Sequence, residues 1–155
     1  MTLKERIEAD MKEAMRSSDR LKLSVLRMIR ARILEREVEL RSSRGRDYHL
    51  SDEEIVDVLQ TYAKQRRQSI ESYRQGKRED LASKEEQELA VVETYLPRPL
   101  TESEIEALVE EVIREAEAKG LGDLGKVMKT VMPRIQGRAE GRIVNEIARR
   151  CLVGG

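Results

Sequence analysis

Apolar residues recur every third or fourth position through most of this 155-residue chain, with polar and charged residues between them. That spacing places the apolar side chains on one face of a helix. Alternation of Val or Ile with polar residues, the pattern typical of a half-buried strand, does not occur over any useful length. The pattern therefore predicts an all-α protein.

Helix boundaries are marked by local signals. A Ser or Thr followed three residues later by Glu is typical of a capping box, in which each side chain accepts a hydrogen bond from the other residue's backbone N–H. This spacing occurs at Thr2 and Glu5, Ser51 and Glu54, and Thr101 and Glu104. Gly76 and Gly120 are placed as helix stops. The predicted helices end at about Arg16, Leu40, Gln75, Leu96 and Lys119. In the second helix, the apolar residues predicted to face the core include Met28, Ile33 and Val38.

A domain boundary is predicted where two prolines follow each other closely. Proline disfavours helical geometry in the residue before it, and here Pro97 and Pro99 come directly after a helical pattern. We predict an N-terminal helical bundle over residues 1–96, a proline-containing linker over 97–100, and a compact three-helix C-terminal subdomain over 101–155.

The composition indicates a small core of aliphatic residues, and the basic and acidic residues are concentrated in different segments of the chain. Hydrophobic and charged residues each make up 39% of the chain, and Trp and Phe are absent. Thirty basic residues balance thirty acidic ones, so net charge alone does not indicate a nucleic-acid partner. The segment from Arg16 to Arg46 and the C-terminal segment are basic, whereas residues 98–119 are acidic. Local basic faces can attract phosphates even in a neutral protein.

The segment from Asp123 to Cys151 is the most distinctive part of the chain. Asp123 is expected to cap a short helix, Pro133 and Gly137 are expected to end it, and a second short helix follows. Asn145 in that helix is expected to bond a backbone group freed by the turn. Off the apolar stripes lie five basic residues that could form one cationic surface: Lys126, Lys129, Arg134, Arg138 and Arg142. The plainer alternative is that they are ordinary solvated side chains.

Residues for catalysis are lacking. The single histidine, His49, lies in a polar loop and the single cysteine, Cys151, lies on an apolar stripe, so no nucleophile and base are paired by the pattern. There is no metal-ligand spacing, and the glycine-rich turn before Lys126 follows no strand, which argues against a nucleotide site. We therefore expect no catalytic residues, no metal and no cofactor. A charged N-terminus and the lack of a long apolar run predict a cytoplasmic protein that does not enter a membrane.

Several motifs resemble the GatB/YqeY family in order and spacing over almost the whole chain. They include LSDEEI, KQRRQSIESYRQGKREDLA, YLPRPL and, most specifically, DLGKVMKTVMPRIQGRAEGRIVNEI. Within the last, Gly125 to Met128, Gly137 to Ala139 and Val144 to Ile147 match the family pattern, while Gln136 and Glu140 depart from it. Members are all-helical and similar to the tail of the B subunit of the glutamine-dependent aminoacyl-tRNA amidotransferase, a carbon–nitrogen ligase.

The resemblance implies a tRNA-binding or accessory module that has no catalytic residues of its own, with tRNA bound by the five basic residues. The catalytic and ATP-handling parts of the amidotransferase have no counterpart in this chain. An alternative is a protein-interaction adaptor that docks a partner enzyme, such as a protein of the translation machinery, through its charged helices. An independent ligase has little support, since no residue could generate or channel ammonia. The sequence leaves the oligomeric state open.

Overall fold

The computed structural model describes residues 1–154, and over that range it contains helices and no strand, so the predicted all-α class is confirmed. A short 3₁₀ turn, Leu121–Asp123, precedes the sixth helix. The α-helices in these residues are α1 (Leu3–Arg16), α2 (Arg20–Arg44), α3 (Asp52–Gln75), α4 (Glu79–Glu93), α5 (Glu102–Ala116), α6 (Leu124–Ile135) and α7 (Gly141–Gly154).

The predicted capping boxes are all confirmed. At the start of α1, α3 and α5 the Ser or Thr oxygen accepts a hydrogen bond from the backbone N–H three residues on, and the Glu side chain accepts one from the cap residue's own N–H. Each of these contacts is 3.2 Å long. Two otherwise unpaired backbone donors are thereby satisfied at each helix start.

Helix ends differ more from the prediction than helix starts. The chain turns into the left-handed region at non-glycine residues, with φ of 57° at Ser18, 58° at Lys77 and 52° at Glu117. At Glu117 this ends α5 at Ala116, before the predicted Lys119, because the Ala118 N–H turns back to the Ile113 carbonyl at 3.0 Å. These ends are set by hydrogen bonding rather than by a glycine.

The contacts divide the chain into two compact units, Met1–Leu96 and Pro97–Gly155. In the first unit α3 and α4 pair most extensively, and α2 packs against α1, α3 and α4. Its core is aliphatic apart from Tyr62 and Tyr95. In the second unit α5, α6 and α7 pack against one another around a core rich in valine. That these units are separate domains stays a prediction.

The buried stripe of α2 differs from the predicted one. Ile33 is buried as expected, and Ile29 is buried beside it, but the next position on that face is Glu37, which is only 2% exposed. Val38 and Met28, predicted to face inward, are 55% and 46% exposed. At about 100° per residue, Met28 and Val38 point away from Ile29 and Ile33, so their apolar character rather than their spacing had placed them on the buried stripe.

Glu37 is buried because its carboxylate collects donors from three directions. Its Oε2 accepts hydrogen bonds from the Leu50 backbone N–H at 2.9 Å and from Lys4 Nζ at 3.3 Å. His49 Nδ1 lies 3.3 Å from the same oxygen. The carboxylate thus ties α2 to α1 and to the loop before α3.

Candidate nucleic-acid interface

Helix α6 forms the base of the candidate surface. Val127, Val131 and Ile135 are buried on one face, which fixes the rotation of the helix. Lys126 and Lys129 lie on the exposed opposite side. Pro133 was predicted to end this helix, but it lies inside it, and α6 continues to Ile135. Proline removes only one helical hydrogen bond, the one that the Lys129 carbonyl would accept, and the burial of Ile135 holds the last turn of α6 in place.

Helix α6 begins without the predicted cap. The Asp123 side chain makes no capping hydrogen bond to α6 and instead accepts one from the Lys119 backbone N–H at 2.9 Å, across the glycine-rich turn. A side chain added at Gly122 or Gly125 would meet nothing within 4 Å. The first turn of α6 therefore presents open backbone to its surroundings, and its N–H groups carry the positive end of the helix dipole.

Arg134 and Arg138 are held by partners within the second unit. The Arg134 guanidinium donates to both carboxylate oxygens of Glu115 on α5, at 3.3 and 2.7 Å. Hydrogen bonding to Arg134 lowers the pKa of Glu115, so the pair stays ionised at neutral pH. Arg138 Nε donates to the Arg98 carbonyl at 2.8 Å, and the Leu100 N–H donates to the Arg138 carbonyl at 2.8 Å. Arg138 thereby pins the predicted linker to the turn between α6 and α7.

The other three predicted residues are much less engaged. Lys126 Nζ reaches only a backbone oxygen, that of Ala116 at 3.4 Å. Lys129 has no hydrogen-bond or ion-pair partner within residues 1–154. Arg142 is 75% exposed, and its contacts to Glu140 and Glu146 are long, at 3.8 and 4.0 Å. Three of the five predicted residues, Lys126, Lys129 and Arg142, are therefore free to meet a ligand, and we call them the open cations. The other two, Arg134 and Arg138, are engaged by partners in the protein.

The sequence analysis did not identify the partners of Arg134 and Arg138, which are a carboxylate and a backbone carbonyl. Glu115 lies 19 residues before Arg134, and Arg98 lies 40 before Arg138, so no local spacing relates them. A local ion pair was also missed near the linker, where the two terminal nitrogens of the Arg98 guanidinium donate to Glu104, six residues later, at 2.8 Å. The hydrogen bonds from Arg98 lower the pKa of Glu104 to about 2.

Asn145 does not make the predicted bond. Its Oδ1 accepts a hydrogen bond from Arg149 Nε at 2.9 Å, one turn along α7 on the solvent side. The backbone around the turn between α6 and α7 is paired by Arg138 instead. An i, i+4 side-chain pair on the helix surface was available to Asn145, and it satisfies the amide oxygen without burial.

One cluster of potential metal ligands exists among the described residues, which the sequence pattern did not suggest. Ligand atoms of Glu106, Glu110 and Cys151 lie within 4.8 Å of one another between α5 and α7. Burial and the two nearby carboxylates raise the pKa of Cys151, which keeps the thiol protonated at neutral pH. Cys151 is half-buried on the apolar stripe of α7. Surface carboxylates beside a protonated thiol carry no metal assignment.

No helix among residues 1–154 is both long enough and apolar enough to cross a membrane. The longest, α2, carries charged residues along its whole length.

Comparison with known proteins relates the chain to one family and to two kinds of named protein. The model of the family described as Yqey-like protein matches residues 4–152. The chain is 36% identical over 136 residues to altered inheritance of mitochondria protein 41, mitochondrial, of Pyrenophora tritici-repentis, covering 86% of this chain and 71% of that protein. The protein of the same name from Vanderwaltozyma polyspora is 31% identical over 73% of this chain and 60% of its own length.

A third relative belongs to an amidotransferase. The E subunit of glutamyl-tRNA(Gln) amidotransferase from Thermococcus sibiricus is 36% identical over 55 residues, which make up 33% of this chain but only 9% of that protein. The similarity is therefore to a small part of a much larger protein.

The comparison contradicts the cytoplasmic location expected from the sequence, because the fungal relatives are named as mitochondrial proteins. The expectation was wrong because it rested on two features that do not distinguish one compartment from another. A charged N-terminus and the lack of an apolar span exclude neither the cytoplasm nor the mitochondrial interior.

Proposed function

The chain belongs to the Yqey-like protein family, and from that premise we propose that it is a tRNA-binding accessory module that has no catalytic residues of its own. The relation to one component of glutamyl-tRNA(Gln) amidotransferase supports tRNA as the nucleic acid. The chemistry of any amidation would then belong to a partner enzyme, with this chain contributing affinity for the tRNA backbone.

The observation that carries the proposal is the open cation set on α6 and α7. Lys129 has no partner among the residues described, Lys126 contacts one carbonyl, and Arg142 has only long ion pairs. Lys126 and Lys129 also lie in the first half of α6, close to its uncapped N-terminus, where the helix dipole attracts anions. Open backbone at Gly122 and Gly125 leaves room for a phosphate to approach.

Binding of this kind is electrostatic and modest in strength. Each phosphate contact contributes roughly 0.7 to 0.9 units to the slope of log affinity against log salt, so three open cations give a slope of roughly 2 to 3 units. The proposal narrows the predicted site: Lys126, Lys129 and Arg142 contact phosphate, while Arg134 and Arg138 hold the surface in place.

A salt-series titration of labelled bulk tRNA tests this proposal. Lys129→Glu should weaken binding and lower the salt slope by roughly one unit, without changing the helical circular dichroism. Lys84→Glu is the matched control, because Lys84 is exposed on α4 and makes the same charge change outside the site. Equal losses from the two variants, or no binding by the wild type at low salt, would refute the proposal.

The adaptor alternative remains the second candidate, and it is favoured by the exposed acidic side of α5, which carries Glu102, Glu110 and Glu111. Affinity capture with the full chain, before and after nuclease treatment, distinguishes the two. Partners lost on nuclease treatment support the tRNA proposal, whereas protein partners that survive it support the adaptor.

A further inference from the structure

Helix α2 is apolar on two sides, and the first unit covers only one of them. Val25, Leu26 and Ile29 are buried against the other helices. On the opposite side Met28, Leu34 and Val38 are 46%, 52% and 55% exposed. Large apolar side chains that recur at helical spacing on an exposed face often mark an interaction surface. We call this second side the outer face of α2; it comprises Arg20, Ser24, Arg27, Met28, Ala31, Leu34, Glu35 and Val38.

The outer face repeats at the spacing of a helix–helix seam. Ser24, Ala31 and Val38 are seven residues apart, and between them lie the pairs Arg27 with Met28 and Leu34 with Glu35. Alternating steps of three and four residues keep one stripe facing a partner helix along its length. The small side chains of Ser24 and Ala31 also allow a second helix to approach closely.

The two halves of the outer face differ in their side chains. The first half has a shallow, open depression of about 370 Å³ on α2 itself, lined by Arg20, Leu23, Ser24, Arg27, Met28 and Ala31. The second half presents Leu34 and Val38, which are 52% and 55% exposed. The apolar side chains of one half can therefore pack into the depression of the other half.

We propose that the outer face of α2 is a dimer interface, in which it pairs antiparallel with the same face of a second copy of this chain about a two-fold axis at Ala31. Such an axis brings the residue k positions after Ala31 level with the residue k positions before it in the other copy. Val38 then lies opposite Ser24, and Leu34 lies level with Met28, so the depression of each copy receives the apolar side chains of the other. A two-fold interface of this kind is self-complementary by construction.

The charges on the outer face favour this pairing over others. Arg27 has no acidic partner within residues 1–154, and Glu35 has only Arg32 at 3.8 Å. Arg27 precedes Ala31 by four residues and Glu35 follows it by four, so the antiparallel axis sets Arg27 of each copy level with Glu35 of the other. A parallel pairing would instead set Arg27 against Arg27, and like charges at an interface are strongly disfavoured.

Sedimentation velocity of the full chain over a wide concentration range tests the dimer. The mass should rise with concentration from 17.9 kDa towards twice that value. Arg27→Glu and Glu35→Arg should each weaken self-association by about 100-fold, roughly tenfold for each of the two symmetry-related pairs. Mixing these two variants should restore a dimer. The Arg27→Glu chain is acidic at both 27 and 35 and the Glu35→Arg chain is basic at both, so opposite charges meet across the interface.

Matched controls separate the interface from net charge. Lys84→Glu on α4 and Glu71→Arg on α3 make the same charge changes at exposed positions outside the outer face and should dimerise like the wild type. A wild-type chain that stays monomeric at near-millimolar concentration overturns the proposal, as does a mixture of Arg27→Glu and Glu35→Arg chains that remains monomeric. Association of the wild type only when tRNA or an acidic protein is added would assign the outer face to that partner instead and equally overturn the dimer.

Discussion

Removing the carboxylate of Glu37 should destabilise the first unit more than any comparable change on its surface. Glu37→Ala leaves the Leu50 N–H without its acceptor, and Leu50 is itself buried. A buried donor left unpaired costs about 1 to 3 kcal/mol. Loss of the ion pair with Lys4, which is 41% exposed, adds at most about 1 kcal/mol. We therefore expect a loss of about 1 to 4 kcal/mol in the free energy of unfolding.

Glu37→Gln separates the two contributions. The amide oxygen can still accept from the Leu50 N–H, so only the charge is lost, and the expected cost is about 1 kcal/mol. Burial acts to raise the pKa of Glu37, but hydrogen bonds from Leu50 and Lys4 outweigh it and the pKa is lowered below its ordinary 4.5. The stability gained from the charge is thus present above that value and is lost as the pH falls through the folded-state pKa.

Tyrosine fluorescence during urea unfolding is the suitable assay, because all four tyrosines lie in the first unit and the signal excludes the second. Glu39→Gln is the control, since Glu39 is exposed and paired with Arg36 at 2.9 Å, and it should cost less than about 0.5 kcal/mol. The reasoning fails if Glu37→Ala costs no more than that control. It also fails if the gap between the wild type and Glu37→Gln does not narrow as the pH falls below 4.5.

Three smaller predictions follow from local geometry. Lys77→Gly should stabilise the first unit by about 0.5 to 1 kcal/mol in the same urea assay, because Lys77 has a φ of 58° that glycine adopts without strain. Asn145→Ala should change the melting temperature little, since its surface bond to Arg149 is worth less than about 0.5 kcal/mol; a large drop would indicate a buried partner. Cys151 should react with a thiol reagent more slowly than free cysteine at neutral pH, because its pKa is raised, and a normal rate would contradict that shift.

What the sequence predicted well was local. A capping box needs two residues three positions apart, so Thr2, Ser51 and Thr101 could be identified from spacing alone. The helical class followed from the repeat of apolar residues for the same reason. Pro133 misled because a proline removes only one helical hydrogen bond, and the burial of Val131 and Ile135 around it carries the helix past that loss.

What the sequence predicted poorly depends on contacts between distant segments. Glu37 occupies a buried position because Lys4 and Leu50 supply donors from other parts of the chain. From its residue type alone, Glu37 would be expected at the solvent-exposed surface, since glutamate is almost never fully buried unless paired. The exposed side of α2 was hidden for a related reason: Met28 and Val38 are apolar, and pattern reasoning assigns apolar residues to the core unless the rotation of the helix is known.

The sequence suggested five free cations because it does not show that Arg134 and Arg138 have partners of their own. This pairing leads to a variant that should bind tRNA more strongly than the wild type. Glu115→Ala removes the partner of Arg134 and leaves that guanidinium free on α6, the helix that also carries Lys126 and Lys129. Binding of tRNA should then become stronger, with a salt slope larger by roughly 0.7 to 0.9 units, because one more cation can contact phosphate.

Glu102→Ala is the control for this change, since it removes the same charge from α5 at an exposed position and should alter the slope by less. If both variants strengthen binding equally, the gain reflects only net charge, and Arg134 has no place at the surface that meets tRNA. If Glu115→Ala weakens binding while the fold is intact, the ion pair itself positions the interface. The first result would confine the site to cations already open in the wild type, and the second would make Glu115 part of it.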